Sequence, residues 1–146
     1  MKSTSFAVTA AAVTACASPA LSETDVWQLL DQITIQELVT ETSYEVRKTY
    51  PPALARGAEI AVEITGYATP ALPGDMVREL LLVSDMGLCP LCGSADHGAT
   101  LVVSLADEIP VIDDSSRITL RGTLSPVTDP ETWQSVVLKN ATIVTQ

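Results

Sequence analysis

Five strand-like stretches follow one another between residues 59 and 144, and their side-chain pattern constrains the fold more than any other feature of the chain. Glu59–Thr65 sets Ile60, Val62 and Ile64 on one face and Glu59, Ala61 and Glu63 on the other. That two-residue period is the mark of a half-buried β-strand. Thr100–Leu105 points Leu101, Val103 and Leu105 inward, and Arg117–Leu124 alternates Ile118, Leu120, Gly122 and Leu124 against Arg117, Thr119, Arg121 and Thr123. Val77–Val83 follows the turn Pro73-Gly74-Asp75 and is apolar throughout its later half, while Ser135–Val144 closes the series. Gly66 stands directly after the first alternating run, where a small barrel needs a bulge or sharp bend. Short strands in this order, with glycine at bend positions, predict an all-β fold: a small OB-like Greek-key barrel. The helix often found between the third and fourth strands of that barrel is here expected to be only a loop, Ala106–Ser116. A flattened two-sheet sandwich is the rival arrangement.

A short N-terminal helix is expected ahead of the barrel. Val26, Leu29, Leu30 and Ile33 recur at helical spacing, Trp27 widens the stripe, and Thr24 is placed to cap it with Asp25 in the first turn. Thr40–Tyr50, rich in threonine, tyrosine and valine, reads as extended up to the break at Pro51-Pro52. Residues 1–22 read as a signal peptide. Lys2 supplies the charged start, Phe6–Ala15 is an apolar run too short to span a bilayer, and Ala20 and Ser22 are the small residues a signal peptidase accepts. Val13-Thr14-Ala15-Cys16 also resembles a bacterial lipobox, which would make Cys16 a lipid anchor; cleavage after Ser22 is preferred because the segment up to Cys16 is short and weakly apolar. Residues 23–146 are then a single OB-like β domain, expected in the periplasm.

The chain carries 18 acidic against 8 basic residues, a formal net charge of −10. Such a surface repels phosphate backbones, so nucleic acid is not the expected partner even for a barrel of this type.

Chemistry concentrates in one window. Cys89, Cys92 and His97, the only histidine, fall within nine consecutive residues, Cys89-Pro90-Leu91-Cys92-Gly93-Ser94-Ala95-Asp96-His97. Thiolate and imidazole are the ligands Zn²⁺ prefers, and C-P-x-C-G is the turn of a zinc knuckle. His97 is close enough to curl back as a third ligand, and Asp96 is placed to be a fourth or to orient His97. A closed structural site needs a second knuckle, which the chain lacks, so an exchangeable or partner-completed site is expected. Two alternatives stay open. In an oxidising compartment the pair can close as a Cys89–Cys92 disulfide that braces the turn. It can also act as a redox dithiol, although Gly93, Ser94, Asp96 and Gly98 are loop formers and offer no helix N-terminus to activate the first thiol.

Three segments carry a family likeness: Ile64-Thr65-Gly66-Tyr67-Ala68-Thr69-Pro70, Glu79-Leu80-Leu81-Leu82-Val83 running into the cysteine window, and Arg117-Ile118-Thr119-Leu120-Arg121-Gly122-Thr123-Leu124. In that order they resemble a family of small exported bacterial proteins commonly encoded beside MacB-type ABC transporter permeases, sometimes in zinc-responsive clusters. The resemblance covers about the last two-thirds of residues 23–146 and rests mostly on structural positions. It implies a transport-related metal-handling role and a membrane transporter complex as partner. Cys89 is the only site residue it carries, because the C-P-L-C-G…H sequence differs from the loop common among the relatives.

The remaining candidates read as structural. Arg117 and Arg121 share an outward face and are expected in surface ion pairs rather than a partner groove; Trp133, beside the final strand, and Tyr67, by the Pro70 turn, are expected as barrel-end plugs, with sugar or peptide stacking the lesser reading. Asp113-Asp114 with Ser115 and Ser116 offers too few spaced oxygens for calcium, and Asn140-Ala141-Thr142 is a glycosylation triplet inside a strand. With one histidine and no nucleophile elbow there is no Ser-His-Asp set, so the expected function is non-enzymatic: a periplasmic accessory protein that binds metal, possible zinc handling with an ABC transporter. The alternative is a structural interaction module whose cysteines form a disulfide, and after it a periplasmic thiol–disulfide protein.

Overall fold

The fold is seen in a computed structural model, which describes residues 23–85 and 100–145. A helix α1 (Glu23–Asp31) leads into a two-stranded hairpin, β1 (Thr34–Val39) and β2 (Tyr44–Thr49). A single 3₁₀ turn at Ala55–Gly57 follows, and then come five longer strands: β3 (Ile60–Pro70), β4 (Met76–Val83), β5 (Thr100–Pro110), β6 (Ser116–Pro126) and β7 (Val136–Thr145). These five close into a barrel in the order β3-β4-β5-β7-β6. β3, β4 and β5 form an antiparallel meander; β6 returns to pair with β3, and β7 fills the gap, running parallel to β5 and antiparallel to β6. This is the connectivity of an OB-like Greek-key barrel, as the strand order predicted, with one short helix before it.

Alternation drives the closure. Val62 and Ile64 of β3, Leu80 and Leu82 of β4, Leu101 and Val103 of β5, Ile118, Leu120 and Leu124 of β6 and Leu138 of β7 are all fully buried. Each projects from the inner side of its strand, so a one-residue slip in any of them would turn leucine and isoleucine to water. β3 serves two neighbours: residues 60–68 pair with β6, residues 67–70 with β4. The change of partner falls beside Gly66, the position at which a bend was expected. A Cβ there would lie 2.7 Å from the Val83 carbonyl oxygen and 2.8 Å from Leu82 Cγ, so only glycine lets β3 and β4 meet this closely.

β7 needs a second device. Its inner residues are Val136 and Leu138 before Asn140, but Ala141 and Ile143 after it. The register against β6 steps from Thr123–Lys139 to Arg121–Thr142, so one extra residue is taken up here. That residue is Asn140, at φ 51°, a left-handed conformation that asparagine tolerates better than most. The bulge swaps the buried parity of the strand halfway along its length. A second irregularity lies in β5, where the pairing jumps between Val77–Ile109 and Glu79–Ser104, and the Arg78 guanidinium donates to the Ala106 carbonyl across it at 3.2 Å. The stretch from Ala106 to Pro110 is therefore bulged strand, and the expected loop Ala106–Ser116 is shorter than the sequence suggested.

Two expectations for the N-terminal part change. The helix already spans Glu23, so Thr24 lies inside its first turn instead of capping it. Residues 34–49 form a hairpin, of which only the second strand lay within the extended stretch expected from the sequence. Its turn has no glycine or proline. The Thr40 hydroxyl oxygen instead accepts the Ser43 backbone N–H at 3.0 Å, and the Thr40 N–H donates to the Ser43 carbonyl at 2.9 Å.

Candidate functional site

Cys89, Cys92, Asp96 and His97 lie in the connection between β4 and β5, outside the described residues. The frame that carries them lies within those residues. Val83 pairs with Thr100, which fixes the two ends of the connection side by side on adjacent strands. α1 packs over the same region: Val26 is fully buried, Leu29 and Leu30 nearly so. Trp27 lies along the open side of Gly66, where a Cβ would come within 3.1 Å of its Cζ2, and its indole N–H donates to the Thr65 carbonyl at 2.8 Å. A hollow of about 310 Å³ opens between Leu30, Ile33, Ile35, Thr100 and Val136, next to the point where the chain enters β5. Among the described residues, no three histidine, cysteine or carboxylate side chains come together as a metal ion would require; the Asp113-Asp114 stretch supplies two adjacent carboxylates. It forms a tight turn in which the Ser116 hydroxyl donates to the Asp113 carbonyl at 2.6 Å.

The hairpin is fastened to the 127–135 loop between β6 and β7. The Val46 N–H donates to the Pro130 carbonyl at 2.7 Å, and the Lys48 ammonium donates to the carbonyls of Val127 and Asp129 at 2.9 and 2.7 Å. The single Tyr50 hydroxyl hydrogen is shared between the carbonyls of Val127 and Ser135, at 2.7 and 2.9 Å. Loss of hydration lowers the Lys48 pKa from its ordinary value, partly opposed by the Asp129 carboxylate, and the same loss raises that of Tyr50, partly opposed by the Val127 hydrogen bond. Both groups work here as fixed donors to backbone oxygens.

Trp133 does not plug the barrel. It stands 52 % exposed on the 127–135 loop, and its indole N–H donates to the hydroxyl of Tyr44, itself 45 % exposed, at 2.7 Å. Nothing in the sequence links two residues 89 positions apart, and the position of Trp133 beside the final strand pointed instead to a barrel-end plug. Tyr67 is half-buried on β3 opposite Arg117. Arg121 is ion-paired as expected, its guanidinium 2.6 Å from the Glu63 carboxylate. A third grouping is apolar: Leu72, Met76 and Val111 are 68, 52 and 49 % exposed where the β3–β4 turn meets the end of β5, joined there by a Val111 N–H to Asp75 carbonyl bond of 2.9 Å.

In comparisons with known proteins, no family model, no curated protein and no solved structure matches the chain. No helix among the described residues is long and apolar enough to cross a membrane.

Proposed function

We propose that this is a non-enzymatic accessory protein of the bacterial periplasm, a rigid OB-like barrel whose Cys89–His97 connection takes up a thiophilic ion such as Zn²⁺. The observation that carries the reading is one of placement. Cys89, Cys92, Asp96 and His97, the residue types a zinc site uses, fall in a single connection whose two ends are held together by the Val83–Thr100 pair. A loop closed at its base by paired strands has less freedom to lose when its side chains gather round an ion. With no second knuckle on the chain, the ion is exchangeable or shared with a partner, for which the family resemblance suggests a membrane transport complex of the ABC type. Metal analysis of the reduced, purified protein tests this. Wild type should hold about one zinc per chain, and Cys89→Ser and His97→Ala should each lower the content sharply. Substoichiometric metal that neither substitution changes would overturn it.

One observation favours a second reading, a docking module in which Cys89 and Cys92 form a disulfide. Leu72, Met76 and Val111 together leave more apolar surface open than isolated surface residues do. Thiol titration of protein taken directly from the periplasm separates the alternatives. Two metal-protected thiols support the zinc reading, an unreactive disulfide the docking module, and a readily reduced reactive pair a thiol–disulfide protein.

A further inference from the structure

The Tyr44–Trp133 pair has the properties of a recognition site and lies on different elements from the cysteine connection. Trp and Tyr are the side chains most often found at the energetic centre of protein interfaces. Here both are about half open to solvent, Val39 beside them is 69 % exposed, and the 2.7 Å indole-to-hydroxyl bond holds the two aromatic side chains together. The support is stiff, because the Val46–Pro130 backbone bond and the Lys48 ammonium tie the hairpin to the loop that carries Trp133.

The charge around the pair selects the ligand. Val39 lies opposite Tyr44 and Glu37 opposite Val46, so Val39, Glu37 and Tyr44 project from one face of the hairpin. Glu37 on that face is exposed, as are Asp129 and Glu131 of the loop that carries Trp133, where the Asp129 carboxylate accepts the Glu131 N–H. The one cation on the same face, Lys48, is turned down to the Val127 and Asp129 carbonyls. Arg47 projects from the opposite face, next to Glu45, whose carboxylate is 3.9 Å from it. An aromatic surface with carboxylates at its rim and its nearest ammonium already engaged attracts a cation and repels an anion. Beside it, β1 pairs only with β2 among the described residues, which leaves the outer edge of β1 open to a further strand.

We propose that the face formed by Val39, Tyr44 and Trp133 docks an extended, arginine- or lysine-bearing segment of a partner protein. The segment lies along β1 and sets a cationic side chain against the aromatic pair, within reach of Glu37 and Glu131. This does not depend on metal at the cysteine connection, and either can fail without the other.

The test uses the exported protein carrying Trp27→Phe, so that Trp133 is the only tryptophan emitting, and three probes: a capped hexa-arginine peptide, a capped hexa-glutamate peptide and chitotetraose. Saturable quenching by hexa-arginine alone is expected, with affinity falling as salt rises. Calorimetry on Tyr44→Ala and Trp133→Leu should show binding weakened about tenfold, the size of a well-formed cation–π contact. Glu37→Gln should weaken it less. Tyr44→Phe keeps the ring while removing the acceptor of the indole bond, and should give an intermediate loss with the melting temperature unchanged. Saturation by chitotetraose in place of the peptide would make the pair a sugar platform and overturn the proposal. So would hexa-arginine binding of equal strength in the Tyr44 and Trp133 variants, which would be general attraction to an acidic protein, and so would absence of binding by any probe.

Discussion

The two tryptophans of this chain make the same kind of hydrogen bond and do opposite things. Trp27 donates to a backbone carbonyl, that of Thr65, and fills the space Gly66 leaves open between β3 and β4. Trp133 donates to a side-chain hydroxyl, that of Tyr44, and keeps half its surface in water. What differs is the footing. The acceptor of Trp27 belongs to a barrel strand, so moving the ring would open the seat of α1. The acceptor of Trp133 belongs to a hairpin outside the barrel, so the ring is positioned without being packed. A hydrogen bond by itself therefore says little about whether an aromatic residue supports the fold; the surface buried around it decides.

The comparison can be broken most forcefully at Gly66. Gly66→Val would drive a branched side chain into the Val83 carbonyl, Leu82 and Trp27, and urea unfolding should show a loss of about 3 kcal/mol with the slope unchanged. A near-neutral result would mean that Trp27 is not seated as described. Next comes the matched pair. Trp27→Ala should cost about 2 kcal/mol, below the range for a fully buried tryptophan because its side chain is only partly buried against the core. Trp133→Ala should cost less than about 0.5 kcal/mol by the same measurement. Equal costs would erase the distinction. Tyr50→Phe lies between these, at about 1 kcal/mol, since the Ser135 carbonyl keeps the Val127 N–H and the Val127 carbonyl keeps Lys48. Faster hydrogen exchange at the Val127 amide would show that the loss sits in the 127–135 loop.

The smallest effect concerns pH and the outside of the barrel. Hydrogen bonds from Ser125 and Lys139, together with the Lys139 charge, hold the Glu59 carboxyl below its usual range. A carboxylate whose folded-state pKa is depressed stabilises the fold fully above the unfolded value of 4.5 and loses that contribution as pH falls through the lower folded-state value. Glu59→Gln should therefore flatten the stability-versus-pH curve on that acid limb only, leaving the slope near neutrality as it was. A slope that changes above pH 5 instead would place the titrating group elsewhere.

Much of the barrel could be read in the chain because β3, β5 and β6 each have one wet and one dry side. Val62 and Ile64, Leu101 and Val103, Leu120 and Leu124 carry their positions in their spacing, and Gly66 marks the bend. The β1–β2 hairpin escaped for the converse reason. Apart from Val46 and the half-buried Ile35, Leu38 and Lys48, its residues are exposed on both faces, so Thr34–Val39 has no alternation to read, and hydroxyl groups do the work of a glycine in its turn. The parity swap at Asn140 was equally hidden, since a bulge is recorded in the register against β6 and not in composition. Of the candidate site, the sequence supplied ligand types at Cys89, Cys92, Asp96 and His97 and their location between two paired strands. It could not supply the Tyr44–Trp133 contact, which exists only because the hairpin folds onto a distant loop.

The parallel seam between β5 and β7 has a consequence for the order of events in folding. A meander can pair as it is made, but here the closing strand touches neither of its neighbours until residues 136–145 are available, and then stitches to both. Until that moment the leucine-lined interior of β3 to β6 is an open trough with two raw edges. Under the periplasmic location proposed above, a chain exported unfolded would cross that interval outside the cytoplasm, where ATP-driven chaperones are not at hand. The speed at which the last ten-residue strand docks is thus a quantity on which selection can act, separately from the stability of the finished barrel.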